Sequence, residues 1–193
     1  DVPAIEGDRT MLEQAVLKEL KPLGMPNSRF SIAVEMEEGR FTRTGSDVVE
    51  FQLAANPGEP LRAMKAVASG GELSRVMLAL KSVLAEADRV PILVFDEVDA
   101  GIGGSVARAV GERLSALGRR RQVLCVTHLP QVACFAADHF LVAKAVENKR
   151  SVVRVERLEG PKRLDAIAVM LGGREVTAAS RKHAQELLES SIS

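Results

Sequence analysis

The chain has 193 residues, 46% of them hydrophobic, enough to bury a core and within the usual size of one domain. Its 26 Lys and Arg balance 26 Asp and Glu, so the overall field gives no attraction to nucleic acid or to an anionic membrane. The absence of Trp and Tyr speaks against a base-stacking platform, and no stretch approaches the roughly 18 uninterrupted apolar residues of a membrane-spanning helix.

Asp1 to Thr10 is acidic and polar rather than signal-like. From about Arg9 to Lys21, the residues Leu12, Val16, Leu17 and Leu20 recur at helical spacing, and Pro22 with Gly24 stops the pattern. Two alternating stretches follow, Phe30 to Val34 and Val48 to Leu53, on either side of the turn-rich Glu38 to Asp47. They predict an antiparallel arm that ends at Asn56-Pro57-Gly58-Glu59-Pro60.

From Ser69 the pattern becomes helix, apolar strand, helix, apolar strand, helix, the mark of a parallel sheet covered by helices. The strands, Ile92 to Phe95 and Val123 to Val126, are continuous apolar runs and are therefore expected to be central and buried on both faces. Polar residues end each run, Asp96-Glu97 after the first and Thr127-His128 after the second. Ligands of open parallel sheets bind beyond such carboxyl ends. The tail predicts a hairpin, Phe140 to Lys144 and Val152 to Leu158 around Glu147-Asn148-Lys149-Arg150, then two helices split by Gly172-Gly173.

Four groups of residues carry candidate chemistry. Ser69-Gly70-Gly71-Glu72 opens a helix with the apolar stripe Leu73, Val76, Met77, Leu80 and Leu84. Ser69 with Glu72 fits a capping box, whereas two consecutive glycines at a positive helix end also suit the approach of a phosphate. Asp96-Glu97 is either a solvated acidic turn or a working pair. In an extended segment the two would point to opposite sides, one toward a magnesium ion and one toward the attacking water. Asp99 precedes the glycine-rich Ala100 to Gly104, which reads equally as an ordinary turn. His128 either caps the helix after Pro130 or joins Glu97 on one rim, where an imidazole can bind phosphate.

Two further clusters read as structural. Arg119-Arg120-Arg121 is expected to be a solvated turn rather than a DNA contact. Cys125 and Cys134 lie among apolar residues and suit buried thiols in a reducing compartment, the cytoplasm. With His128 and His139 they make a run that only superficially resembles a zinc site.

Taken together, the motifs resemble the second lobe of an ATP-binding-cassette ATPase head: signature Ser69-Gly70-Gly71-Glu72, Walker B strand ending Asp96-Glu97, D-loop around Asp99, and switch His128. Three longer stretches, 56–60, 68–75 and 127–133, are similar to the RecN family of bacterial DNA-repair proteins, relatives of the SMC proteins. The similarity extends over nearly the whole chain, including Leu171-Gly172-Gly173 and the last helix.

The resemblance implies one α/β domain over residues 1–193, a parallel sheet flanked by helices with a small antiparallel arm. Residues 1–25 would then be the end of a coiled coil or an opening helix. It implies two heads that sandwich ATP, with Asp96 serving Mg2+, Glu97 as general base, His128 sensing the γ-phosphate and Asp99 coupling the two sites. Ser69, Gly70, Gly71 and Glu72 would contact the nucleotide of the opposite head, with the glycine pair facing outward. The implied partners are an N-terminal Walker A lobe of the same protein, a second head, and DNA at double-strand breaks, near the nucleoid and without a membrane.

Two positions depart from the commonest family pattern: Ala100 where threonine is frequent, and Gly103 where serine is frequent. More important, no Gly-x4-Gly-Lys-Ser/Thr loop occurs in the sequence, so the chain alone is expected to bind ATP poorly. A non-catalytic dimerisation or DNA-tethering module and a transporter-type ATPase lobe are the competing readings.

Overall fold

The computed structural model describes residues 2–37, 39, 42–43, 45–147, 150–173 and 176–191. Helix α1 spans Val2–Leu20, longer toward its start than the apolar spacing predicts. Strands β1 (Arg29–Met36) and β2 (Asp47–Ala54) pair in antiparallel register, Phe30 opposite Leu53 and Ile32 opposite Phe51. A short β3 (Arg62–Ala63) adds to β2. Glu13 on α1 accepts the Ile32 N–H at 2.7 Å and the Ser31 hydroxyl at 3.2 Å, which fixes the arm against the helix. Of the turn between β1 and β2, residues 38, 40, 41 and 44 lie outside the described residues.

Helix α2 (Gly70–Val83), strand β4 (Ile92–Phe95), helix α3 (Gly104–Gly118), strand β5 (Gln122–Cys125) and the single turn α4 (Pro130–Ala133) follow in the expected order. β4 and β5 pair in parallel, Val94 opposite Leu124 and Phe95 opposite Cys125. The hairpin β6 (His139–Glu147) and β7 (Arg150–Leu158) is antiparallel; Asn148 and Lys149 of its expected turn lie outside the described residues. Helices α5 (Gly160–Gly172) and α6 (Ala178–Ser191) close the chain.

The main core joins α1 (Val16, Leu20), the arm (Phe30, Ile32, Leu53), α2 (Val76, Leu78, Ala79, Leu80), β4 (Leu93, Phe95) and α3 (Val110, Leu114, Leu117). Met77, expected in the α2 stripe, is 37% exposed, whereas Leu78 and Ala79 are fully buried, because α1 and α3 both pack on this helix. A smaller cluster holds α5 to α6 through Ile167, Ala168 and Ala184.

The expectation that β4 and β5 are covered on both faces is corrected by the structure. Leu93 and Phe95 are buried, whereas Ile92, Val94, Leu124 and Val126 on the other face are 48–67% exposed. A two-stranded sheet with helices on one side leaves its second apolar face open. The architecture is thus a mixed α/β arrangement of three small sheets, one parallel and two antiparallel.

Candidate functional site

Ser69 is the N-cap of α2: its hydroxyl accepts the Glu72 N–H at 3.3 Å. This satisfies one of the donors that a helix start leaves without a partner. Gly70 is exposed at the surface, but Gly71 is buried. A side-chain carbon on Gly71 would come within 3.0 Å of the Ala100 Cβ and 3.1 Å of the Glu97 carbonyl. The expected outward-facing glycine pair is therefore divided. Gly70 is open to a ligand, and Gly71 permits close packing of α2 on the loop after β4.

That loop is tied down by the same helix. Ser74 donates its hydroxyl to the Asp96 carbonyl at 2.8 Å, and the Arg75 guanidinium donates to the carbonyls of Val98 and Ala100 at 3.4 and 3.0 Å. Arg75 is only 7% exposed. Burial lowers the affinity of its guanidinium for the proton, and Glu72 opposes that effect.

The acidic pair does not obey the alternation of an extended segment. β4 ends at Phe95, and Glu97 has φ 57, the only positive φ outside glycine among the described residues. Such a left-handed backbone costs on the order of 1–3 kcal/mol. It swings the Glu97 carboxylate over the signature: a carbon added to Gly70 would fall 2.2 Å from Glu97 Oε2. Asp96 Oδ1 meanwhile accepts the Glu97 N–H at 2.9 Å. Both carboxylates are exposed, so the two are separated by a turn, not by strand pleating.

Asp99, expected at the nucleotide face, is instead turned into the chain with 2% of its surface exposed. Its Oδ2 accepts the Thr127 hydroxyl at 2.5 Å and the His128 N–H at 3.0 Å, and lies 3.2 Å from His128 Nδ1. The His128 side chain itself is 73% exposed. It is not the cap of α4, where Leu129 occupies the N-cap position.

Cys125 registers the acidity of this rim. Burial, then the carboxylates of Asp99 and Asp96, push its thiol up to about 12, so it is no thiolate near neutrality. Among the described residues no three His, Cys, Asp or Glu side chains form a metal cage, and the Cys125, His128, Cys134 and His139 run builds none.

The loop 96–100 thus contacts both the helix start, through Gly70 and Ser74, and the Thr127-His128 segment, through Asp99. Comparison with known proteins gives this arrangement a context. The chain is 48% identical over 188 residues to the DNA repair protein RecN of Streptomyces coelicolor, covering 91% of this chain and 32% of the relative. The RecN of Deinococcus radiodurans is 48% identical over 185 residues, covering 96% and 32%, and that of Bacillus subtilis is 40% identical over 192 residues, covering 92% and 33%. Nearly the whole of this chain is thus similar to one part of RecN proteins.

It spans about a third of the length of the RecN relatives it matches. No family model matches the chain. Among solved structures, an Smc head domain with coiled coil and joint from Pyrococcus yayanosii superimposes with a TM-score of 0.56 at 20% identity, covering 81% of this chain and 28% of that one. A chain from work on ATP-driven dimerization and DNA-stimulated activation of SMC ATPases gives 0.51 at 15%, covering 91% and 100%. The fold of this segment is that of SMC head regions.

Sequence reasoning missed Ser74, Arg75 and Thr127, the three side chains that brace the rim. Arg75 carried no signal, because at about 3.6 residues per turn it falls on the opposite side of α2 from the apolar stripe Leu73, Val76, Met77, Leu80 and Leu84. The three-arginine turn was also read too simply. Arg121 donates to the carbonyls of Ala85 and Val90 at 2.6 Å and to that of Asp88, closing the turn after α2 instead of merely facing solvent.

Proposed function

We propose that this segment supplies the signature and Walker B side of an ATP-hydrolysing SMC-like head acting in DNA double-strand-break repair. It would be the C-terminal lobe of such a head, a single domain over residues 1–193. The observation that supports this reading is that the loop carrying Asp96 and Glu97 contacts both the Ser69 helix start and, through Asp99, the His128 segment. Glu97 sits over Gly70 by virtue of a strained backbone, and such strain concentrates where a side chain must be aimed.

In this reading Asp96 serves magnesium, and the donor set fits: one exposed hard carboxylate, with phosphate oxygens and water, is the ordinary magnesium environment. A bound magnesium ion would neutralise phosphate charge. Glu97 takes the proton of the attacking water, and His128 meets the terminal phosphate. Ser69, Gly70, Gly71 and Glu72 face the nucleotide of a second head, Gly71 acting through the backbone it lets α2 bring close. The sequence holds no phosphate loop, so the cradle must come from a further lobe of the same protein. The open face of Ile92, Val94, Leu124 and Val126 supports the docking of such a layer. DNA is engaged by the whole protein, in the cytoplasm at the nucleoid. No helix among the described residues is long and apolar enough to cross a membrane.

The test is ATP turnover with the phosphate-loop lobe present. Glu97→Gln is expected to lower kcat by about a thousandfold, the scale of a lost base. Unchanged turnover would remove Glu97 from the base role.

A further inference from the structure

We propose that Asp99 is the positioning residue of His128, an inference that rests on the role of His128 proposed above. A single buried carboxylate oxygen, Asp99 Oδ2, accepts two donors of one segment, the Thr127 hydroxyl and the His128 backbone N–H, and lies 3.2 Å from His128 Nδ1. Thr127 Oγ1 in turn accepts the Leu129 N–H at 3.0 Å, so the segment is pinned on both sides of the histidine. A carboxylate taken out of water needs such partners, and they dictate what remains for the imidazole to do. Nδ1 lies 3.2 Å from the carboxylate oxygen; a proton held on Nδ1 and shared with that oxygen would fix the tautomer and the plane of the ring, as outer partners fix ligating histidines. Nε2 is left at the exposed rim, on a side chain that is 73% open.

The resemblance implied that Asp99 couples the two sites of a head pair. Its burial points elsewhere. Asp99 touches the site through His128, and the loop 96–100 that carries it is clamped by Ser74 and Arg75 of α2. The carboxylate position is thus set before any nucleotide arrives, and the imidazole inherits that order. Only one rotatable group, the His128 ring, separates the buried anchor from the rim.

The test is a double-mutant cycle on ATP turnover in the full protein that carries this chain with its phosphate-loop lobe. Asp99→Asn keeps the shape and one acceptor oxygen; it is expected to lower kcat by about 10–100-fold, the usual loss for an outer partner, with KM within about twofold. In a His128→Ala background the same substitution is expected to cost less than about twofold. An equal loss in both backgrounds overturns the proposal and returns Asp99 to an independent role. If His128→Ala itself leaves turnover intact, the reading of His128 fails first and this inference with it. Should Asp99→Asn lose its cooperative melting transition, Thr127→Val decides in its place: a smaller kcat loss that vanishes in the His128→Ala background supports the proposal, and one that persists overturns it. Nitrogen NMR of the His128 ring gives a readout that packing alone would not move, with Nδ1 protonated in the wild type and the tautomers mixed in Asp99→Asn.

Discussion

The two faces of the small parallel sheet were written in the same apolar alphabet and ended in opposite environments. Leu93 and Phe95 point into the core beneath α2 and α3, whereas Val94 and its cross-strand partner Leu124 are open. One face stabilises this segment by burial, and the other is exposed in this chain. The catalytic candidates sit at the shared end of both, on a loop held by Ser74 and Arg75 from the buried side. A continuous apolar run therefore does not by itself tell which face of a strand its own chain covers.

Substitutions that weaken one face at a time test that division. Phe95→Ala should destabilise by about 3–5 kcal/mol in chemical denaturation, the cost of emptying a packed aromatic site; a loss near zero would mean that this face is not the core. Arg75→Ala comes next, at about 1.5–3 kcal/mol, because two carbonyls lose a charged donor inside the protein. It should also lower turnover by loosening the loop that aims Glu97, and an unchanged melting profile would deny the clamp.

The third effect is smaller and depends on pH. Burial lowers the His139 affinity for protons below the ordinary range, with the Arg163 charge acting in the same direction. The unfolded chain therefore binds this proton more readily than the folded one. The stability that comes from the neutral imidazole is complete above its ordinary pKa of about 6.5 and is lost as pH falls through the depressed folded value. Melting temperature should fall by a few degrees between pH 7 and pH 5, and His139→Asn should flatten that slope.

The smallest effects belong to the open surfaces. Val94→Thr should change the stability of the segment by less than about 0.5 kcal/mol, and a larger loss once the further lobe is present would show that this face is covered there. Gly70→Ala is also expected to stay within about 0.5 kcal/mol, since the atom it meets is the end of a flexible side chain. It must displace the Glu97 carboxylate, however, so turnover should fall while the melting curve does not.

The order of elements was legible from local pattern: helical spacing in α1, alternation in the arm, continuous apolar strands between amphipathic helices, and Ser69 as a cap. The candidate residues were named from the same pattern, Ser69 to Glu72 at a helix start and Asp96-Glu97 at the end of the strand that follows it, and their joint role rests with the proposal. Three matters were decided only in tertiary structure. Glu97 left the extended region, since the strand stops one residue before the acidic pair and the turn, not the pleat, directs the side chains. Asp99 went inward because the Thr127 hydroxyl and the His128 N–H, distant in sequence, are close enough to donate to it. And the apolar strands stayed half bare because composition states that a residue prefers to be covered, while only the packing of whole elements decides which faces this chain covers with its own helices.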